Sequence, residues 1–338
     1  MKRFVVLLLV GILALGSTAD ATAQAKKTKI GVLKLTSSAV LFLGVEKGYF
    51  KEFGIDPDLV FFQAAQPVAV ALASGDIDVG ATGLTAGLYN TVAGGVKVWI
   101  VADKGREWPG YRLTAILVQP ELYETGLRSV RDLRGKTLGI TQIGSTFHYS
   151  IGNILEKEGL ALGDVELVPL QSLGAMSDAL AAKRVDAIYT AQPFVSGAEA
   201  KGVGKVILWT GDVLPWQVAT IFYSGKFAQD RERAVNFMKG YIKAARHYYD
   251  AVLQRKEGRP VSAVAFEEAV AVTAKYKGAK PEIIKLGFPY QDRDGRLLVD
   301  DIAKQLAWWR RHNLVKAPIP ASEVVDTSFF EEGLRALK

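Results

Sequence analysis

The stretch ALASGDIDVGATGLT, Ala71 to Thr85, has a worn copy 108 positions later, ALAAKRVDAIYT, Ala179 to Thr190. Ala, Leu, Ala, Asp and Thr recur in place, and Ile77 becomes Val185. The same offset sets Ile30, Gly31 and Val32 on Leu138, Gly139 and Ile140, so a second strand-like segment agrees about where the copy lies. A repeat of this length exceeds the few tens of residues of a solenoid period. It implies two similar α/β lobes, each ending a helix near Gly75 or Lys183 and entering a strand through Asp78 or Asp186.

Size and composition fit two lobes. At 338 residues the chain exceeds one ordinary domain, and 49% hydrophobic with 23% charged is a globular composition able to bury a core. Lys2 and Arg3 precede an apolar run from Phe4 to Leu15, followed by Ala21-Thr22-Ala23 and Ala23-Gln24-Ala25, which have the A-x-A form of a signal-peptidase site. Residues 1–25 therefore read as an export signal cleaved near Ala25, with a run too short to span a bilayer. No cysteine is present, which excludes disulfides, a thiolate nucleophile, a zinc–thiolate site and a lipid anchor, and places the exported chain in a periplasm. Without its leader the formal charge goes from +7 to +6 (7 − 2 + 1), a mild attraction for anions. A nucleic-acid binder would concentrate its basic residues. The nearest candidate, Trp308 to His312, reads instead as a helix end, with Asp300 and Asp301 in the first turn and Asn313 as left-handed cap.

Along the chain, apolar runs at 29–35, 58–63, 77–80 and 96–102 alternate with helical patterns, which predicts a largely parallel sheet with helices on both faces. The segment DKGREWPGYR, Asp103 to Arg112, reads as a loop by its Gly and Pro, and Leu113 to Val118 as a strand leading out of the first lobe. A second set follows with strands at 136–141, 165–170, 185–189 and 206–209, after which Val218 to Ser224 returns to the first lobe. Beyond Asp230 the pattern is helical, and Phe237, Tyr241, Ala244, Tyr248 and Val252 mark one apolar face that belongs to the core.

Enzyme signatures are missing. The three histidines, 148, 247 and 312, have no metal-ligand spacing, and there is no G-x-S-x-G, S-x-x-K or P-loop lysine. Four helix starts, Thr36 to Val45, Thr82 to Asn90, Gly144 to Leu155 and Thr190 to Ala198, carry no acid, although a first turn favours one. All four follow strands, at the carboxyl ends where open α/β sheets hold ligands. A helix start with hydroxyls and no acid leaves its N–H groups to an outside anion; equally, a buried helix carries no acid in any case.

VEKGYFKEFGID (45–56), ALASGDIDVGATG (71–83), DLRGKTLGITQIGSTFHY (132–149), LEKEGL (155–160), VDAIYTAQPF (185–194) and VVDTSFFEEG (324–333) together resemble the solute-binding proteins of nitrate/sulfonate/taurine-type ABC importers. That group also resembles the pyrimidine-precursor synthase of yeast thiamine biosynthesis, whose pattern uses the cysteines this chain lacks. The resemblance implies a two-lobed periplasmic binding fold, α/β, each lobe a mainly parallel sheet flanked by helices, with two crossing hinge segments. It places lobe 1 at 26–117 and 216–338 and lobe 2 at 118–215, with the crossings at Val118 to Glu121 and Val213 to Trp216. It implies a small anionic or polar ligand (sulfonate, carboxylate, nitrate or pyrimidine-like), no cofactor, no metal and no catalytic residue, and a monomer that delivers to ABC permease subunits in the inner membrane. The positions expected to line the cleft are Ser37, Ser38, Thr82, Gly83, Thr85, Gly144, Ser145, Thr146, His148 and Gln192, joined by Trp108, Tyr111 and Trp216. His148 is either a neutral donor to the ligand or part of a helix face that points elsewhere. Two alternatives remain: an exported enzyme of the same fold acting on a small acid, and a ligand-binding sensor docking on a membrane receptor.

Overall fold

A computed structural model describes residues 26–338. The expected leader and its cleavage site near Ala25 lie outside the described residues. In chain order the principal strands are β1 (Lys26–Leu33), β2 (Ile55–Phe62), β3 (Val79–Gly83), β4 (Val98–Glu107), β5 (Thr114–Val118), β6 (Thr137–Ile140), β7 (Glu166–Pro169), β8 (Ala187–Ala191), β9 (Lys205–Trp209) and β10 (Trp216–Ser224). They form two five-stranded sheets with the orders β2-β1-β3-β10-β4 and β7-β6-β8-β5-β9. Each sheet is mixed. β1 runs parallel to β2 and β3, while β10 is antiparallel to β3 and β4; β6 runs parallel to β7 and β8, while β5 is antiparallel to β8 and β9.

The two orders are the same order. A shift of 108 carries the ends of β3 onto those of β8 (79 + 108 = 187, 83 + 108 = 191) and the helix Ala65–Ser74 onto Leu173–Ala181 to within a residue. The repeated residues have repeated jobs. Gly75 and Lys183 end their helices in the left-handed region, at φ 80° and 56°. Asp78 then accepts from the Lys29 N–H at 3.0 Å, and Asp186 from the N–H of Thr137, its counterpart (29 + 108 = 137), at 2.9 Å. In each lobe a carboxylate thus pins the start of the middle strand to the start of its parallel neighbour.

The antiparallel strand of each sheet is the one on which the chain arrives from the other lobe. β5, expected to lead out of the first lobe, is paired wholly within the second sheet. The first crossing is therefore residues 108–113, between β4 and β5, rather than Val118 to Glu121; the second is 210–215, close to where it was expected. The crossings lie against each other: Gly110 N donates to Asp212 Oδ1 at 3.2 Å, and a methyl on Gly211 would meet the Trp108 carbonyl oxygen at 2.5 Å.

Beyond β10 the chain is helical. Asp230 caps the helix Arg231–Tyr248, whose apolar face (Phe237, Tyr241, Ala244, Tyr248) is buried against the first sheet, with Val252 buried in the π-turn that follows. The helix Val299–Arg311 instead reaches the second lobe, where Trp308 packs so closely on Gly152 that a methyl there would meet it at 2.3 Å. Asp300 and Asp301 occupy its first turn, and Asn313 takes the left-handed region at φ 57°, as the sequence implies.

Candidate ligand-binding site

The carboxyl ends of the two sheets face one another, and loops at those ends touch in a symmetric pair of hydrogen bonds. Ala86 N, at the first turn of one helix, donates to the Gly144 carbonyl at 2.9 Å, and Thr36 N donates to the Gln192 carbonyl at 3.4 Å. Under the 108-residue offset these are each other's counterparts (36 + 108 = 144; 86 + 108 = 194, two residues from Gln192). Between them a cavity of about 50 Å³ is enclosed.

The cavity wall is apolar with hydroxyls set into it. Leu33, Leu35, Leu113, Phe147, Leu173 and Val218 supply much of the surface; Ser37, Thr82, Thr114, Thr141, Thr146 and Ser150 supply the hydroxyls. The wall holds one charge, Lys104. Its Nζ donates to Ser38 Oγ at 3.0 Å and lies 3.4 Å from Ser37 Oγ. Burial pushes its pKa down to about 7, opposed by the charge of Asp103. Trp216 also lines the cavity, and its buried Nε1–H has no partner among the described residues.

Lys104 lies in DKGRE, which sequence reasoning reads as loop. β4 continues through it to Glu107, paired with β10 by a register that shifts on both sides of Ala219. Gly105 stands at this irregularity with φ 149°, a conformation that favours glycine. Four charges within five residues are tolerated here because each has polar partners of its own. Asp103 accepts from the N–H groups of Gly105 and Asp292, both at 2.8 Å, and from Gln217 Nε2 at 2.6 Å, with Arg106 Nε 3.1 Å away. Arg106 Nη2 donates to the Arg296 carbonyl. Glu107 accepts from the N–H and hydroxyl of Thr114, and burial raises its pKa to about 8. Lys104 alone has hydroxyls and no carboxylate as its hydrogen-bond partners.

The expected site residues divide. Ser37, Thr82, Gly83, Thr146 and Trp216 line the cavity. Ser38 stands behind it, donating to the Leu33 carbonyl at 2.7 Å while accepting from Lys104. Thr85 and Ser145 cap their own helices, accepting from Leu88 N and His148 N, both at 3.2 Å, and the Thr85 hydroxyl donates to Gln66 Oε1 at 2.7 Å. Gly144 and Gln192 form the contact between lobes, and the Gln192 side chain is tied to Ser196 at 2.8 Å. His148 faces the helix Val299–Arg311: its Nδ1 accepts from Gly144 N at 3.0 Å and its ring stands edge-on to Trp308, at 5.5 Å between centroids. Burial holds its pKa down at about 4, so it is neutral there. Trp108 and Tyr111 pack on Tyr290 beside the crossing, away from the cavity. The residues missed are Lys104, Thr114, Thr141 and Ser150; alternating charges next to an apolar strand run are the one signal that DKGRE continues that strand.

Among the described residues no group of His, Cys, Asp and Glu could hold a metal ion, and no helix is long and apolar enough to cross a membrane. Two lobes of one topology, joined by two adjacent crossings and shut on a shared cavity, have the arrangement of the periplasmic binding protein fold. The chain belongs to the NMT1-like family, whose model matches residues 21–264. It is 28% identical over 233 residues to the taurine-binding periplasmic protein of Escherichia coli (strain K12), covering 67% of this chain and 68% of that one. In structure it is similar to the alkanesulfonate-binding protein SsuA from Xanthomonas axonopodis pv. citri bound to MOPS, with TM-score 0.72 and 21% identity over 90% of this chain and 99% of that one. The desulfurization enzyme DSZB shares the fold too, with TM-score 0.65 and 15% identity over 93% of this chain and 100% of that one. The structural neighbours are mostly binding proteins.

Proposed function

We propose that the chain is an exported periplasmic binding protein that captures a small anion between its lobes and, acting as a monomer, delivers it to an ABC permease. The observation that carries this reading is Lys104, a buried cation in the cavity wall whose hydrogen-bond partners are hydroxyls. A buried ammonium with no carboxylate in hydrogen-bond contact is costly, and a bound anion supplies that contact. The free Trp216 N–H and the hydroxyls of Thr82 and Thr146 complete a donor set for its oxygens. We further propose the lobes as residues 114–209 for the second and the remainder of the described chain for the first, with the two crossings as the hinge.

Calorimetric titration with carboxylates, sulfonates and nitrate is the direct test. A charge-assisted hydrogen bond contributes ~1.5–3 kcal/mol, so Lys104→Gln should weaken the preferred anion roughly 10- to 150-fold. Unchanged affinity in that variant would remove the anchor and with it the reading. Loss of the anion over time with a new product would instead favour the enzyme alternative.

A further inference from the structure

We propose that the solute is an organic monoanion with an apolar body, and that the cavity rejects zwitterions and bare inorganic anions. This rests on the anion-binding reading above and adds what the rest of the solute must be.

None of the residues lining the cavity is Asp or Glu. Two carboxyl groups lie on the same strand as Lys104, and neither lines the cavity. Asp103 is wholly buried and holds three hydrogen-bond donors with Arg106 beside it. Glu107 accepts from the N–H and hydroxyl of Thr114 with Oε1, and burial raises its pKa to about 8, which favours the neutral acid. A solute oriented with its anionic head at Lys104 therefore meets, with the rest of its length, a wall of Leu33, Leu35, Phe147, Leu173 and Val218 with neutral hydroxyls set into it and no carboxylate. An ammonium placed there would be desolvated with no counter-charge. A nitrate or sulfate would satisfy the lysine but leave the apolar surface of the closed lobes unfilled, forfeiting the burial that favours closure.

Matched pairs that differ by one ammonium test this on the full mature chain: ethanesulfonate against taurine, and propionate against β-alanine, with sodium nitrate as the inorganic anion and calorimetry as the readout. The expected result is that the apolar member of at least one pair binds about a hundredfold or more tighter than its amino partner and than nitrate, and that Lys104→Gln weakens that member. If an amino partner or nitrate binds as tightly as the apolar member while Lys104→Gln still weakens it, the anion reading stands and this inference is overturned. If Lys104→Gln leaves all of them unchanged, the anion reading itself falls. Circular dichroism of Lys104→Gln, with Lys104→Met as a second, shape-matched variant, separates lost binding from lost folding.

Discussion

Gly83 faces Thr146 of the second lobe across the cavity, and a single methyl there should act mainly on closure rather than on folding. A Cβ at this position would lie 2.4 Å from Thr146 Cγ2, 3.3 Å from Thr146 Oγ1 and 3.3 Å from the Val218 carbonyl oxygen. Ordinary contact begins near 3.4 Å, so the closed state must yield by about an ångström between a residue of the first lobe and one of the second. Overpacking of this kind costs ~1–3 kcal/mol. Most of the cost falls on the closed state, because parting the lobes relieves the contact with Thr146 and leaves only the milder 3.3 Å contact with the Val218 carbonyl of the same sheet. Gly83→Ala should then weaken the ligand about 5- to 150-fold while leaving the melting temperature of the ligand-free protein nearly unchanged. Thr146→Ser deletes the clashing methyl, so Gly83→Ala/Thr146→Ser should recover most of the lost affinity and show a coupling energy in the double-mutant cycle. Calorimetry gives the affinities, and small-angle scattering at saturating ligand gives the compactness. Were Gly83→Ala to bind as the parent does, with the same radius of gyration, the closed arrangement described here would not be the ligand-bound one.

Affinity should depend on pH through Lys104. Its pKa in the empty cavity is pushed down to about 7 and an anion beside it raises it, so binding takes up a proton above that pH. Affinity should fall by up to about tenfold per pH unit above 7, and the binding enthalpy should vary with the buffer's ionisation enthalpy; a flat profile from pH 6 to 9 refutes the link. Ser145→Ala should cost ~0.5–2 kcal/mol of stability as a lost helix cap with little change in affinity, since that hydroxyl serves His148 N. Asp186→Ala strands the Thr137 N–H and hydroxyl, now held at 2.9 and 3.0 Å, and should cost about 1–3 kcal/mol in thermal unfolding with fast amide exchange confined to β6. His148 is buried with its pKa lowered to about 4. The unfolded chain therefore binds a proton that the folded chain refuses, and stability should fall as pH drops from 6.5 towards 4, a loss that His148→Gln reduces in pH-dependent melting curves.

Much of the architecture was legible because the second lobe repeats the first. Ala71–Thr82 and Ala179–Thr190 carry the same helix end, the same carboxylate and the same strand start, and these local signals survive without any knowledge of what they pack against. The hinge was misplaced because β5 reads as an apolar strand whichever sheet it joins; its membership is decided by hydrogen bonds to β8 and β9, partners 69 to 94 residues away (187 − 118; 209 − 115). The site was half legible for a related reason. Helix starts can be found from hydroxyls and missing acids, but the sequence does not say whether Thr85 and Ser145 turn their oxygens outward or back onto their own helices, and here they turn back. Lys104 was hidden by its neighbours. A run of alternating charges reads as solvated, and its burial becomes intelligible only when Gln217, Asp292 and Arg296, brought in from distant parts of the chain, satisfy the charges on either side.

The placement of β5 and β10 also sets an order of assembly. Residues 114–209 contain every strand of the second sheet, so that lobe is a continuous piece of chain that can complete its hydrogen bonding by itself. The first sheet cannot. Between β3 and β4 it has a gap one strand wide until β10 emerges, 109 residues after β4 ends (216 − 107). In a chain made from its N-terminus, the lobe that begins first must finish last. Until then β3 and β4 each present an unpaired edge of the kind that recruits foreign strands, and closing the gap waits on a long loop. The period of greatest exposure for this protein is thus the interval in which the second lobe is already formed and the first still waits for residues 216–224.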